Sequence, residues 1–560
     1  MLYFDNLSPD TSDAYLADGI TEEIASRLAD IRRLQVKQAS REGVRRLRET
    51  APDYRIAAGR ALGVRYLVEG SLRRAGSRVR VVVRLINGTN GFRTWGETYD
   101  RAAQDLLVLE DDIARQVARA VAGRLSPAEA AAIAPGPSRN PEAHEHYLRG
   151  NFYLFQRTAP ALRRAIDEYE AAARIDPGFG DALGRIGYAY SLCLDLNLCR
   201  DLPHDSLLAR GLAVTDRALR RDSASADAWL ARGALLQDAD PRRYTGVEQA
   251  LERALALAPR NAEAWHRYGL FLRSVGRDSA ATTAYHQALD IEPLRTIELN
   301  GLGATAFWAH QFEAAARWLD SALAVDPGLP NAYYLRARLR MLLGDTAGAR
   351  ADAEAYLRLT GNRLIEVINA RIAAARGDAA EARRALDQLR RDAQSDWEAH
   401  VVILVALHEY ADALAILEGV QPGLELWAIL RDPELDSLRS DPRFQRLVSR
   451  TDNHCGGLAV SRSDRPPVRL MYALMWSGGK DSCLALARAR RQGLAVETLV
   501  NFYDAATGRV RFHATRRELI AAQAFALGLR LIQEATQPDT YEVVFRRTLT
   551  QLATSGCRGV

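Results

Sequence analysis

Pro259, Pro293 and Pro327 stand 34 residues apart, and the residues around them keep the same interval. In "LALAPRNAEAWHRYG", "LDIEPLRTIELNGLG" and "LAVDPGLPNAYYLRA", Trp265, Leu299 and Tyr333 follow their prolines at one distance. Small residues recur where two helices of a pair must approach closely: Gly269 and Gly303 on the first helix, Ala281/Ala288 and Ala315/Ala322 on the second. Tyr285 and Leu319 fill the matching large position. "AIDEYEAAARIDP", ending at Pro177, starts the series, and Trp229 leads another unit 36 residues before Trp265. Beyond Pro327 the pattern loosens, with Gly361 where proline would recur and "AARGDAAEARRAL" (374–386) as a weaker copy. A helix pair of this length cannot bury its apolar face alone, so the units must stack on one another.

The period and pattern are those of the tetratricopeptide repeat, with five or more units across residues 143–450. They predict an all-α superhelix whose concave groove takes a protein or peptide. On this reading Trp229, Trp265, Tyr285 and Trp318 are packing residues. "HEH" at 144–146 reads as a solvated helix start, because histidines at i and i+2 do not face one metal ion. Cys193 and Cys199, six apart without finger-spaced histidines, read as packed thiols. Five cysteines without a CxxC pair argue for free thiols in a reducing compartment, and "LYFDNLSPD" after Met1 lacks a signal-peptide pattern, so the expected location is the cytoplasm. The longest apolar run, "VVILVAL" (401–407), is far short of a membrane span. A net charge of +5 against 75 basic and 70 acidic residues gives no strong steering toward nucleic acid. No metal site is expected.

Residues 1–125 predict a mixed α/β domain. "DGITEEIASRLADI" (18–31) has helical spacing with Asp18 as cap, and "DYRIAAGRALGV" (53–64) is a second short helix. Residues 65–100 alternate apolar and polar with turns at Ala75-Gly76-Ser77 and Asn87-Gly88, which predicts an antiparallel meander of three strands. "LLVLEDDIARQVARAVAGRL" (106–125) closes the domain as an amphipathic helix. Through "FDNLSPD", "YLADGITEEI", "LGVRYLVEGSLRR", "RVRVVVRLI" and "TWGETYDR" this segment resembles the α/β domain that precedes tetratricopeptide arrays in bacterial adenylate-cyclase-type regulators. That resemblance implies no catalytic residues here. It also implies an apolar first strand, for which only Met1-Leu2-Tyr3 precede Phe4. Either that strand is very short or the chain begins downstream of its natural start.

After "TDNHCGGLAVSRSDRPPVR", whose Gly-Gly and Pro-Pro mark a linker over 451–468, a second pattern begins. "VRLMYALMW" (468–476) is a buried parallel strand; Ser477-Gly478-Gly479-Lys480-Asp481-Ser482 turns into the helix "CLALARARRQG". Glycines let backbone N–H groups approach an anion, the two serine hydroxyls add donors, and a helix start adds positive potential. Only two of the 75 basic residues are lysine, Lys37 and Lys480, so an ammonium inside this turn is conspicuous. As a compact point charge it suits phosphate oxygens. The turn is not a Walker A loop, since Leu474 stands where glycine is needed and Asp481 where Ser or Thr is needed.

It resembles the SGGxDS pyrophosphate loop of the ATP pyrophosphatases, and among them the diphthine–ammonia ligase group. The matching pieces continue through "AVETLVNFY" (495–503), "RFHATRRELIAAQAFALGLRL" (511–531) and "YEVVFRRTLTQLATSGCRGV". The resemblance implies an α/β PP-loop domain over 469–560 that binds ATP with Mg2+, with Ser477, Gly478, Gly479, Asp481 and Ser482 on the pyrophosphate and Lys480 neutralising it. His513 falls in a family motif and reads equally as a structural histidine. "SGCRGV" reads as the approach to a fourth strand left incomplete. A complete domain of this family is more than twice the 92 residues from Arg469 to Val560, so the acceptor pocket is expected to be missing and no catalytic residue is assigned. The leading expectation is an interaction scaffold with an incomplete ATP module. The alternative is an ATP-dependent amide-forming ligase whose array recruits the acceptor, and a weaker third is a regulator that lost its output domain.

Overall fold

The structure is a computed structural model that describes all residues except 30, 32, 134–137, 139, 197, 200, 240–243, 362–363, 392–396, 422–423, 456–470, 477–481, 484, 487, 489–494, 511–514, 528–529, 538, 555–556 and 560. It divides into two compact units, Met1–Val460 and Ser461–Val560.

The first unit opens with the expected meander. β2 (Tyr66–Ala75), β3 (Arg78–Asn87) and β4 (Arg93–Ala102) pair antiparallel, with Ala75 opposite Arg78 across a tight turn at Gly76, whose φ of 60° suits glycine. β1 (Asp5–Asn6) joins β2 in parallel and is two residues long. Val79, Val81, Val83 and Leu85 point inward by strand alternation and pack with α1 (Ala14–Ala29) and, further along, with Leu109, Ile113 and Val117. α1 begins a turn earlier than the pattern predicts. Asp18 therefore lies inside the helix and pairs with Arg41, while Asp10 accepts from the Ser12 amide ahead of it. α2 (Arg41–Thr50) was not expected: it carries few apolar residues and is set by the Ser40 hydroxyl accepting from Gly43 N–H at 3.0 Å. α3 (Tyr54–Leu62), α4 (Leu106–Ala122) and the short α5 (Pro127–Ala132) complete the domain.

Eight antiparallel helix pairs follow among the described residues. They are α6 (Pro141–Leu154) with α7 (Ala159–Ile175), α8 (Gly180–Asp195) with α9 (His204–Arg221), α10 (Ala226–Ala239) with α11 (Tyr244–Leu257), and α12 (Ala262–Ser274) with α13 (Asp278–Ile291). Next come α14 (Thr296–Trp308) with α15 (Phe312–Val325), α16 (Pro330–Leu342) with α17 (Thr346–Thr360), α18 (Leu364–Ala375) with α19 (Ala379–Arg391), and α20 (Trp397–Ala406) with α21 (Tyr410–Gly419). Trp229 and Trp265 hook their indole N–H groups onto the carbonyls of Ser223 and Pro259, each six residues back and each at 2.9 Å. Gly361 replaces proline because it ends α17 in the left-handed region, at φ 71°.

The small residues have a stated purpose in the packing. A Cβ on Gly150 would lie 2.4 Å from the buried Tyr169 ring, and one on Gly269 would lie 2.8 Å from Tyr285. Gly150→Ala is therefore expected to lower stability by about 1–3 kcal/mol. Urea unfolding checks this, with a shift of midpoint at unchanged slope as the expected result.

Two expectations are corrected here. Cys193 and Cys199 form a disulfide rather than standing as packed thiols: the chain turns back after α8 through a left-handed Cys199 (φ 56°), bringing the Cα atoms to 5.7 Å. His144 is fully buried rather than solvated, because α6 is covered by the α/β domain, and its Nε2 lies 3.1 Å from the buried Glu110 carboxylate of α4.

α22 (Leu424–Leu430), a 3-10 turn (Pro433–Leu438) and α23 (Pro442–Cys455) end the unit by folding back on the array. Arg431 bonds Asp278 at 2.6 Å, and Trp427 packs on Gly276, where any Cβ would clash.

In the second unit all strands are parallel, in the order β7-β6-β5-β8: β5 (Met471–Met475), β6 (Ala495–Asp504), β7 (Arg530–Thr536) and β8 (Cys557–Gly559). The fourth strand is thus formed and pairs with β5, where the sequence reading left it incomplete. Helix Arg517–Leu527 covers one face through Ile520 and Ala524, and helix Tyr541–Thr554 covers the other through Phe545 and Leu552. This is a doubly wound α/β unit.

Candidate functional site: the end of strand β5 and the inner face of the array

β5 has β6 on one side and β8, reached by the crossover from β7, on the other, so the strand order reverses beside it. The crevice beyond the carboxyl end of such a strand is where doubly wound sheets hold ligands. Residues 477–481 follow that end in sequence. Trp476, 3% exposed, pins the exit: its N–H donates to Val500 O at 2.8 Å, and its indole N–H donates to Gln523 at 2.9 Å. Buried Asn501 donates to the Trp476 carbonyl at 2.7 Å, and Gln533 reaches Asn501 Oδ1 at 3.4 Å. Sequence reading missed Asn501, Gln523 and Gln533, because a lone polar residue inside an apolar strand or helix carries no motif. Ser482 lies buried where helix resumes. Ser477, Gly478, Gly479, Lys480 and Asp481 lie outside the described residues, as does His513.

Within the array one acid gathers several cations. Glu263 on α12 accepts from Arg157 at 3.3 Å and also from Arg295 and Tyr188, while Arg267 donates to Tyr188 at 3.0 Å and pairs with Asp195. Burial alone would push the Glu263 carboxyl up; Arg295, Arg157, His266 and Arg267 outweigh it and hold it well below the ordinary carboxylate range.

The α/β domain docks on the same unit at two places. α1 lies on α6, with Gly19 against Leu148 and Tyr15 donating to Glu145, which also accepts from Arg74 at 3.1 Å and Arg149 at 2.7 Å. Far along the array, residues 36–44 meet the turns at 260 and 291–294. Between these anchors, Arg41 pairs with Asp18 and lies 3.6 Å from Glu22, which also accepts from Tyr3 at 3.0 Å and feels Arg185 of α8.

Burial, offset only in part by Arg41, pushes Asp18 up to about 6 and Glu22 up to about 7. Both carboxyls bind protons more readily folded than unfolded. Their contribution is complete below the ordinary carboxylate values near 4 and is lost as pH rises through 6 to 7. The melting temperature of the full chain is expected to fall between pH 5 and pH 8, and Glu22→Gln is expected to flatten that slope. Scanning calorimetry across the range decides it.

Comparison with known proteins finds likenesses to parts of the chain. A stretch of 182 residues is 34% identical to the putative adenylate cyclase 3 of Rhizobium meliloti (strain 1021), covering 32% of this chain and 30% of that protein. The chain therefore spans less than a third of that relative's length. Among solved structures, PilW, a widely conserved type IV pilus biogenesis factor, is similar at 24% identity and TM-score 0.32, over 36% of this chain and 92% of its own. A tetratricopeptide repeat protein of Parabacteroides merdae ATCC 43184 is similar at 16% identity and TM-score 0.33, over 48% and 99%. A chain of the APC/C hetero-tetramer Cut9-Hcn1 gives 13% identity and TM-score 0.39, over 62% of this chain and 63% of its own.

The first unit carries the 34-residue tetratricopeptide period in stacked helix pairs, and a C-terminal α/β module follows it in sequence. That module, over residues 470–555, matches the family of the diphthamide synthase N-terminal domain. Among the described residues no helix is long and apolar enough to cross a membrane.

Proposed function

We propose that this chain is a protein-interaction scaffold whose C-terminal module binds ATP with Mg2+ at Ser477, Gly478, Gly479, Lys480, Asp481 and Ser482. The observation that carries the reading is the reversal of strand order at β5, whose carboxyl end this turn follows in sequence. Backbone amides, two hydroxyls and one ammonium suit a pyrophosphate group, and Trp476 with Asn501 fixes where the turn starts. Bound nucleotide would supply the activating phosphorus chemistry; these residues would hold and neutralise its phosphates. The array supplies the protein or peptide contact, as its stacked units support.

Titration calorimetry of the purified chain with Mg·ATP tests the module. Lys480→Ala is expected to weaken binding by about tenfold, the loss of one charge-assisted contact. Equal binding by both proteins overturns the assignment. Release of pyrophosphate or AMP that depends on Lys480 moves the reading to the amide-forming ligase, with the array recruiting its acceptor.

A further inference from the structure

We infer that the row of inter-repeat turns at Arg260 and residues 291–294 is a seat for an extended peptide, and that the chain's own segment 36–40 occupies it as a built-in competitor of the array's partner. The inference rests on the scaffold reading and names where that scaffold takes its ligand.

Residues 34–40 form neither helix nor strand. They run extended between Met1 and the array, and their main chain is read from both sides. Met1 O accepts from Ala39 N–H at 2.9 Å on one side; on the other, Gln38 N–H donates to Ile291 O at 3.0 Å. The Arg260 guanidinium donates to Val36 O, and the Ser40 hydroxyl donates to Leu294 O at 2.7 Å. Ala39 is fully buried. Leu294 enters the small apolar cluster of Leu2, Ala39, Val44, Ala58 and Leu62, and it does so through the opening left by Gly43, where a Cβ would lie 2.6 Å from Leu294 Cβ.

Of the three bonds between this segment and the array, two use its backbone and one uses the Ser40 hydroxyl; on the other side Met1 also donates to Lys37 O, and the Gln38 side chain donates to Tyr3. Recognition through main-chain groups, with one pocket for a small side chain, is how protein surfaces hold extended peptides of varied sequence. The partner this seat fits is therefore an extended segment with Ser or Thr at the position that meets Leu294 O. It would present a carbonyl to Arg260 and an N–H to Ile291. An intramolecular occupant lowers the apparent affinity for such a peptide by the fraction of time the seat is free.

The test uses the full chain and a fluorescein-labelled peptide of residues 34–44, followed by anisotropy. Gly43→Leu pushes the chain's own segment off Leu294 while leaving the array side untouched. It is expected to bind the peptide at least about tenfold more tightly than the wild-type chain. Adding Arg260→Ala is expected to return binding to the wild-type level. Hydrogen exchange at residues 36–40 reports whether the segment has left. A released segment with no gain in peptide affinity overturns the inference, and so does a gain indifferent to Arg260→Ala. Should Gly43→Leu not fold, Ser40→Gly removes the hydroxyl contact and costs the helix cap only a few tenths of a kcal/mol; a gain in affinity is again expected, and its absence overturns the seat. Partner capture that is equal with and without Gly43→Leu would keep the scaffold and overturn the seat. Peptide binding without any captured partner would do the reverse.

Discussion

Arg338→Ala is expected to destabilise the later repeats by about 3–5 kcal/mol, the penalty for removing one member of a buried ion cluster. The guanidinium of Arg338 bonds Glu434 at 2.7 and 3.0 Å and also meets Asp432, while Arg371 holds the other oxygen of Glu434. All four side chains are nearly excluded from water. Burial pushes both carboxyls up, and at Glu434 the two guanidiniums outweigh it and hold that group below its ordinary value. Without Arg338 two carboxylates face each other under the array, and the turn that carries them, Pro433–Leu438, should detach. The variant should show a separate early unfolding transition by calorimetry, together with fast hydrogen exchange over α22 and α23. A single transition at the wild-type temperature would show that the cluster does not tie this segment down. Replacing Arg338, Arg371 and both acids together by apolar residues should be close to neutral, since the whole cluster gains little over good packing.

Glu263→Ala is the counterpart in the early repeats, again with about 3–5 kcal/mol expected. It would deprive Arg157, Arg267 and Arg295 of their shared acid, with Arg267 keeping Asp195 and Arg295 keeping Glu292 and Glu298, and leave Tyr188 without its acceptor. Because Arg157 follows α6 and Glu263 stands on α12, the loss should loosen units that are not neighbours in sequence. Glu263→Gln keeps the shape and should recover less than half of the loss, because the arginines need charge. Equal stability of the two variants would assign the effect to packing instead.

The repeat array could be read because its constraint is local and recurs: Gly269 must admit Tyr285 in one unit as Gly303 must admit Leu319 in the next. The meander was legible because strand alternation and the Gly76 turn are both short-range. What escaped was long-range. α2 has too few apolar residues to announce itself, and its cap is Ser40, a residue that also bonds Leu294, 254 positions away. His144 looked solvated because nothing near it in sequence says that α1 and α4 will cover α6. The cysteine pair depended on a left-handed turn at Cys199 that spacing does not encode. β8 is three residues long and acquires its meaning only beside β5. At the candidate ATP site the glycine turn was evident from its composition, whereas Asn501, Gln523 and Gln533 emerge only once β6, β7 and a helix converge on Trp476.

The docking of Leu294 into the cluster of Leu2, Ala39, Val44 and Ala58 sets an order of events during synthesis. The α/β domain's residues leave the ribosome first, but one wall of that cluster is supplied by the turn after α13. At ordinary rates of translation, some 5–20 residues per second, the wait is on the order of 10–50 s. Over that interval the nascent domain carries an open apolar notch and an unpaired Gln38 amide. It is therefore in the middle of translation, rather than after release, that this chain is most exposed to aggregation and has most need of a chaperone.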